Sequence, residues 1–337
     1  MKRYILSRLA QVIPQVIVVA IVTFVLLRLL PANPVEGIVG PTATKATYDQ
    51  EQQKLGLSAS LLSQLGRFFD EIVHGGFGNS WQTNVPVTTE IGQHLPITLQ
   101  LITMATVVAL IVGIPLGYVL STGRGPRRRQ HRFLRIFSLF AGSQPDFWWG
   151  LVFIYLFFFL VRIFPAPLGI LSPAAVAPQP VTGFILIDSL LRGQVGTFAD
   201  ALDHFALPVL TLAFVVVGPI MRMTSQGMRS EVNADYVLYA RACGLPERRI
   251  ALSIIRNGLA PVLTLTGVLF GVLLGGAVLV ETVFSLNGLG VYTLQSVLAL
   301  NYPSIEGSVV VMTTIALLVY IVMDILHALL DPRVRSR

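Results

Sequence analysis

The chain has 337 residues, of which 54% are hydrophobic and only 12% are charged, and its formal net charge is +7. Soluble domains carry about twice that charged fraction. Several apolar runs approach or exceed about 20 residues, the length that crosses a bilayer as a helix. The composition therefore indicates an integral membrane protein and excludes a soluble globular domain.

Cysteine and histidine usage limits the chemistry of the chain. The single cysteine, Cys243, excludes an internal disulfide and a Cys-based metal site. The five histidines are scattered, without the close spacing of metal ligands. We therefore expect this chain to bind no metal.

Six apolar runs predict an all-α fold with six transmembrane helices. The first run follows a short basic segment, as in a signal peptide, but it is too long and lacks a small-residue cleavage site, so we interpret it as a retained signal anchor. The third contains Pro145 and is expected to be kinked. The fourth is the shortest, with Pro208 and Pro219 near its ends. The predicted spans cover about Leu9–Leu30, Ile97–Leu120, Phe137–Val161, Phe205–Met221, Leu259–Val283 and Val309–Leu330.

The positive charges predict the orientation of these spans. Most of the 24 basic residues precede the first span, follow the last, or lie in the two segments after the second and fourth spans. Cytoplasmic loops are enriched in Lys and Arg, so both termini are predicted to be cytoplasmic. Because the arginines flank spans, the charge is explained by topology, and no nucleic-acid partner is expected.

The chain divides into three parts. Residues 1–30 form the cytoplasmic N-terminus and the first span. Residues 31–96 are too many for a simple connection, and we expect a small extracytoplasmic subdomain there. Residues 97–337 form the transmembrane core, with a polar cytoplasmic loop at 222–258. A short amphipathic helix is predicted in the subdomain. Its apolar face would contain Leu62, Leu65, Phe68, Phe69 and Ile72.

The cytoplasmic loop contains the pattern of a short helix. Tyr236, Tyr239, Ala240 and Cys243 fall at i, i+3, i+4 and i+7, which places them on one helical face. Two interpretations stay open from this periodicity alone: an interfacial loop whose aromatic rings sit among lipid headgroups, or a helix that docks in the groove of a partner.

The same loop contains a helix end and a helix start. Gly244 is suited to the left-handed position that ends a helix. Pro246 suits the first turn of a following helix, and Glu247 complements the positive end of that helix. The spacing predicts a helical hairpin that turns at Gly244.

The stretch ADYVLYARACGLPERRIALSIIRNGLAPVLTLTG resembles the permease subunits of bacterial ABC importers, in the dipeptide and oligopeptide branch. Their coupling-loop motif is E-A-A, three residues, G, nine residues, I-x-L-P, and it matches Ala240, Gly244 and Ile254. Further segments resemble the family in the same order: RLLPANP, LGLSASLLSQ, GGFGNS, LLGGAVLVETVFSLNGLG, NYPSIEG and LLDPRVR. The sequence departs from the general motif at Leu238, Tyr239, Arg256 and Asn257.

The resemblance implies a type I ABC importer-like fold in the bacterial inner membrane and a pore built with a second homologous permease subunit. Two cytoplasmic ATPases, or one fused ATPase chain, would bind ATP and Mg²⁺, and an extracytoplasmic binding protein would deliver the substrate. This chain lacks a G-x-x-x-x-G-K-[ST] phosphate loop, so it is not expected to be an enzyme or to bind a cofactor itself.

The resemblance implies peptides as cargo, and nickel complexes, glutathione or oligosaccharides are alternatives within the same branch. A stand-alone secondary transporter is a second class. The chain has no row of intramembrane ionisable residues suited to ion coupling, which disfavours that class.

Two sets of functional residues follow from the motifs. The residues predicted to contact the ATPase are Asp235, Tyr236, Tyr239, Ala240, Arg241, Ala242, Gly244, Leu245 and Pro246. The residues predicted to lie along the translocation pathway are Ser143, Asp146, Phe147 and Glu281.

Overall fold

The computed structural model describes residues 2–40, 43–122 and 128–330 of the chain. Those residues form helices and connecting turns, with no β-sheet among them. The predicted C-terminal basic segment, 331–337, and the basic residues Arg124 and Arg127 lie outside the described residues. In chain order the helices are α1 Lys2–Leu29, α2 Pro34–Val39, α3 Lys45–Lys54, α4 Leu61–Val73, α5 Val87–Ser121, α6 Arg128–Phe140, α7 Asp146–Phe153, α8 Ile185–Leu191, α9 Val195–Val232, α10 Asp235–Ala242, α11 Glu247–Gly258, α12 Ala260–Val283, α13 Leu289–Leu298 and α14 Tyr302–Leu330.

Five of these helices are long and apolar enough to cross a membrane, namely α1, α5, α9, α12 and α14. They correspond to five of the six predicted spans, which confirms the all-helical membrane fold. Four of the five start earlier than predicted, at Lys2, Val87, Val195 and Tyr302. The predicted 31–96 segment therefore contains α2, α3, α4 and the first turns of α5.

The third predicted span, Phe137–Val161, is not one helix. Helix α6 ends at Phe140, a turn follows at residues 141–145, and α7 starts at Asp146 and continues as a π-helix over Ile154–Leu160. Pro145 precedes the first residue of α7. Its ring disfavours helical geometry in the residue before it and removes a backbone donor, which explains the break.

The fourth predicted span, Phe205–Met221, is wrong in length, because it is shorter than the observed helix. Helix α9 has 38 residues and is the longest described helix, although Pro208 and Pro219 lie inside it. Proline is tolerated within membrane helices because neighbouring groups satisfy the carbonyls that it leaves without a donor. The Pro219 ring packs at the turn that follows α6, where a Cβ on Gly142 would lie 3.2 Å from Pro219 Cδ.

Helix α9 lies at the centre of the bundle and packs most extensively against α5. Small residues permit this contact. A Cβ on Gly113 would lie 2.7 Å from Ile220 Cγ2, and a Cβ on Gly117 would lie 2.5 Å from Thr224 Cβ and 2.7 Å from the Met221 carbonyl oxygen. Close backbone approach of this kind is a main source of helix association in lipid.

The predicted amphipathic helix is confirmed as α4. Ser60 caps its start, since the Ser60 hydroxyl oxygen accepts a hydrogen bond from the Ser63 N–H at 3.4 Å. Phe68 is buried and stacks on Phe24 of α1 with ring centroids 5.9 Å apart. Of the predicted face, Leu65, Phe69 and Ile72 join this contact, whereas Leu62 is 82% exposed. The α2–α4 region is therefore fixed to α1 and α14 by apolar packing.

We predict that Gly117→Ala lowers the free energy of unfolding by about 1–3 kcal/mol, because the added methyl group overlaps Thr224 and the α9 backbone. Gly92→Ala, in the same helix, is the matched control, since no atom lies within 4 Å of its Cβ position. Thermal unfolding of the full-length protein in detergent would compare the two. Equal midpoints for the two variants would contradict the proposed α5–α9 contact.

Candidate functional site

The polar loop between α9 and α12 folds as the predicted helical hairpin. Helix α10 ends at Ala242, Gly244 adopts a φ of +71°, and α11 starts at Glu247. The Gly244 N–H donates to the Arg241 carbonyl and the Leu245 N–H donates to the Ala240 carbonyl, each at 3.0 Å. These two bonds form a Schellman motif, which a left-handed glycine makes possible. Pro246 takes the N-cap of α11, one position before the predicted first turn.

The inner side of the hairpin packs against the end of α9. Met228 of α9, Val237 of α10, and Ile250 and Ile254 of α11 form a buried cluster. Ala240 packs partly against this cluster, whereas Tyr239 is 73% exposed. The residues predicted on one face of α10 are thus divided, because the side that contains Val237 and Ala240 turns toward α9.

The outer side of the hairpin is apolar and exposed. Leu238 is 60% exposed, Leu245 is 42% exposed and Leu252 is 58% exposed, in addition to Tyr239. Contiguous exposed apolar groups bordered by charge mark interaction sites. The remaining predicted contact residues at this surface are also exposed: Asp235, Tyr236, Arg241, Ala242, Gly244 and Pro246.

Polar contacts connect the two helices of the hairpin. Arg241 Nε donates to Glu247 Oε1 at 2.9 Å, and both side chains are largely exposed. Hydrogen bonding to Glu247 raises the pKa of Arg241. An exposed pair of this kind contributes only about 0–1 kcal/mol, so it serves orientation more than stability.

Asn257, which stands where the general coupling-loop motif has proline, also makes a side-chain contact. Asn257 Nδ2 donates to the Tyr236 hydroxyl oxygen at 3.3 Å, and the Tyr236 hydroxyl donates to Glu231 Oε2 at 3.0 Å. Burial raises the pKa of Tyr236 most, and the hydrogen bond to Glu231 raises it further. A chain of side-chain contacts therefore connects the end of α9, α10 and the end of α11.

The turn before α7 and the first residues of α7 contain three of the residues predicted along the pathway. Ser143 is exposed and its hydroxyl donates to the Phe140 carbonyl at 2.8 Å. Asp146 Oδ1 accepts a hydrogen bond from the Phe147 N–H at 2.8 Å. Asp146 Oδ2 lies 3.2 Å from the Cβ position of Gly276, so the first residue of α7 lies against α12.

Glu281 occupies a different environment from these three residues. Its side chain is wholly buried, and Oε1 accepts a hydrogen bond from the Thr98 hydroxyl at 2.5 Å while Oε2 accepts one from the Val291 N–H at 3.0 Å. The Thr98 oxygen in turn accepts a bond from the Leu289 N–H at 2.8 Å. In this conformation the Glu281 carboxylate connects the start of α13 to α5 and α12, and its place along the translocation pathway stays a prediction.

Sequence reasoning missed the partners of Glu281. A Cβ on Gly288 would collide with the Glu281 carboxylate, and a Cβ on Gly290 would lie 2.8 Å from Glu281 Oε2. The signal was the Gly-Leu-Gly sequence seven residues after a charged residue near a helix end. A buried carboxylate needs hydrogen-bond donors, and glycines let backbone N–H groups approach it closely.

A second buried polar contact was also missed. Arg28 of α1 pairs with Glu306 of α14 at 2.5 Å, and both side chains are largely buried. Glu306 lies three residues before Val309, the predicted start of the sixth span, but within α14. Opposite charges at the ends of two apolar helices were the available signal, since a charge within a span needs a partner.

The five long apolar helices and the broken span define a polytopic membrane protein. The chain belongs to the family of binding-protein-dependent transport system inner membrane components, whose model matches residues 113–336. The N-terminal model of the same membrane components matches residues 1–102. The protein is therefore a multi-pass inner membrane subunit of an ABC-type transport system.

Curated relatives align over nearly the whole chain. The chain is 38% identical to the probable D,D-dipeptide transport system permease protein DdpB of Escherichia coli, covering 94% of this chain and 92% of that protein. It is 36% identical to the di/tripeptide transport system permease protein DppB of Pseudomonas aeruginosa, with both chains fully covered. It is 33% identical to the dipeptide transport system permease protein DppB of Escherichia coli, again over both full lengths.

We predict that Glu281→Ala destabilises α13, because the Thr98 hydroxyl and the Val291 N–H lose their acceptor at a cost of about 1–3 kcal/mol each. Hydrogen exchange over Leu289–Leu298 in the full-length protein would show the loss of protection. Thr282→Val is the control, since the Thr282 hydroxyl is exposed and donates only within its own helix. Unchanged exchange in Glu281→Ala would show that the carboxylate does not hold α13.

Proposed function

We propose that this chain is a pore-forming subunit of an ATP-driven importer of short peptides. The names of the relatives support peptides as cargo, because three of them, at 33–38% identity, are peptide transport permeases. Membership of the family supports assembly with a substrate-binding protein. The single observation that supports coupling most directly is the exposed apolar surface of the hairpin around Tyr239.

In this proposal the hairpin receives the motion of an ATPase. The chain has no phosphate loop of its own, so ATP and Mg²⁺ would be bound by two cytoplasmic ATPase subunits or one fused ATPase chain. The groove of one ATPase would take α10 and the turn after it, with Leu238, Tyr239 and Leu245 buried in it. The hairpin end of the bundle, and with it both termini, would then face the cytoplasm.

Direct connections would transmit this motion to the bundle. Only Asn233 and Ala234 separate α9 from α10, and only Leu259 separates α11 from α12. A Cβ on Gly227 of α9 would lie 2.6 Å from the Gly258 carbonyl oxygen, so α9 and α11 are in backbone contact. A shift of the hairpin would therefore move α9 and α12 together, and α9 contacts α5 along its length.

The translocation path would form between this chain and a second homologous permease. Helix α12 carries a stripe of exposed small and apolar residues at Val268, Val272, Gly275 and Leu279. The turn with Ser143 and the start of α7 with Asp146 and Phe147 follow one another in the chain, and Asp146 lies beside this stripe, at Gly276. We assign the stripe and the turn to the face that meets the second permease, where lipid would be excluded and an exposed polar turn can be hydrated.

We predict that Tyr239→Glu reduces substrate-stimulated ATPase activity of the assembled transporter by roughly tenfold or more, because a carboxylate would be buried without a partner in the ATPase groove. Tyr239 is largely exposed in this chain, so insertion and stability should be unchanged. The measurements are dipeptide uptake and ATPase activity in proteoliposomes, together with co-purification of the ATPase subunits.

Leu298→Glu is the matched control, since Leu298 is 78% exposed but belongs to α13, away from the hairpin. It should leave co-purification of the ATPase intact. Full stimulation of ATP hydrolysis in the Tyr239→Glu transporter would show that α10 is not the coupling element. Intact coupling without uptake of any dipeptide would instead contradict the proposed cargo.

A further inference from the structure

A polar cavity of about 480 Å³ lies in the α2–α4 region, apart from the hairpin and from the turn before α7. It is formed by the end of α3, by α4 and by the turn at residues 77–84, beside the adjoining ends of α1 and α14. Its volume falls within the range of about 300–1,000 Å³ that small-molecule sites occupy. Its walls carry charges of both signs: Arg28, Glu51, Lys54, Arg67, Glu71 and Glu306.

Four of these six charges are already paired. Arg28 Nη1 contacts Glu306 Oε1 at 2.5 Å, and Arg28 Nε donates to Gln64 Oε1 at 3.1 Å. Lys54 Nζ contacts Glu51 Oε1 at 3.1 Å. These pairs line the cavity, but each pair is neutral overall and offers no net charge to a ligand.

Arg67 and Glu71 are different, because they are not paired with each other. They stand four residues apart on α4, where opposite charges commonly pair. Instead Arg67 Nη2 donates to the Gly56 carbonyl at 2.6 Å. Within the part of the chain that the structure describes, the Glu71 side chain has no hydrogen bond or ion pair.

The Glu71 side chain is exposed and lines the cavity, so its carboxylate is accessible to an incoming group. Partial burial raises the pKa of Glu71, Arg67 lowers it, and the neighbouring Asp70 raises it. A carboxylate in this situation gains from an incoming cation, which can supply both charge and hydrogen bonds.

Two glycines leave room for these side chains to lie against different turns. A Cβ on Gly56 would collide with the Arg67 guanidinium, and a Cβ on Gly78 would lie 2.9 Å from Glu71 Oε2. Both glycines have positive φ, +69° and +74°. The guanidinium therefore lies against the turn before α4 and the carboxylate against the turn after it, and both line the same cavity.

We propose that this cavity binds a short peptide with free termini, with the peptide ammonium at Glu71 and the peptide carboxylate at Arg67. The Arg67 guanidinium and the Glu71 carboxylate point away from each other, toward different turns. A ligand that contacts both needs charges farther apart than those of a single amino acid, which are attached to one carbon, and two extended residues span about 7 Å. The choice of a peptide among zwitterions rests on the proposed function.

The first test uses the chemistry of the ligand. L-alanyl-L-alanine is titrated into the full-length permease in lipid nanodiscs, and its N-acetylated and C-amidated forms are titrated in parallel. We expect saturable binding of the free dipeptide and roughly tenfold weaker binding of each capped form, because each cap removes one charge-assisted hydrogen bond. L-alanine should also bind more weakly than the dipeptide.

The second test uses Glu71→Gln, which keeps the shape of the side chain and breaks no contact of the unliganded protein. It should weaken dipeptide binding roughly tenfold and remove most of the effect of N-acetylation. Asp70→Asn is the matched control: Asp70 is the adjacent residue of α4, its side chain is 74% exposed, and it does not line the cavity. Its dipeptide affinity should equal that of the unaltered protein.

Absence of saturable dipeptide binding to the unaltered permease, or unchanged affinity in Glu71→Gln, would overturn the cavity assignment. Dipeptide uptake by the complete transporter separates this result from a failure of the proposed function. If uptake proceeds while the permease binds no dipeptide, only the cavity assignment is wrong. If the complete transporter takes up no dipeptide, the proposed cargo is wrong as well.

Discussion

Close packing of α9 against α5 is the contact on which the rest of the bundle depends. Lipid chains solvate apolar side chains about as well as another helix does, so helices in a bilayer associate through close backbone approach and satisfied polar groups. Gly113 and Gly117 supply that approach on α5, and Gly218 and Gly227 supply it on α9 toward α6 and α11. Helix α9 consequently extends from the hairpin to the opposite end of the bundle as one element held on several sides.

The two ends of this bundle differ in how their polar groups are used. At the end of α12, the buried Glu281 carboxylate holds α13 in place through Thr98 and Val291. Nearer the α2–α4 region, Arg28 and Glu306 join α1 to α14. At the hairpin, by contrast, apolar side chains such as Tyr239 are left exposed. The end that contains Glu281, Arg28 and Glu306 is therefore held by contacts within the chain. The hairpin end presents an apolar surface that needs a partner to become buried.

Local signals in the sequence predicted some elements well and others poorly. The turn at Gly244 was predictable because only glycine takes a positive φ there without strain, and α4 was predictable from its apolar periodicity. The length of α9 was not, because Pro208 and Pro219 end a helix in isolation but are tolerated when neighbouring helices surround them. Likewise, the charge of Glu306 ended the apolar run of α14, although Arg28, distant in sequence, neutralises it.

The sequence by itself determined the membrane class, the approximate spans and the helical hairpin, because apolar length, flanking charge and glycine conformation act within a few residues of each other. Only the tertiary structure decided which side of α10 is exposed, that Glu281 is enclosed by Thr98 and α13, and that Arg67 and Glu71 diverge across one cavity. Each of these depends on groups from helices far apart in the chain, whose positions are set by the packing of the whole bundle.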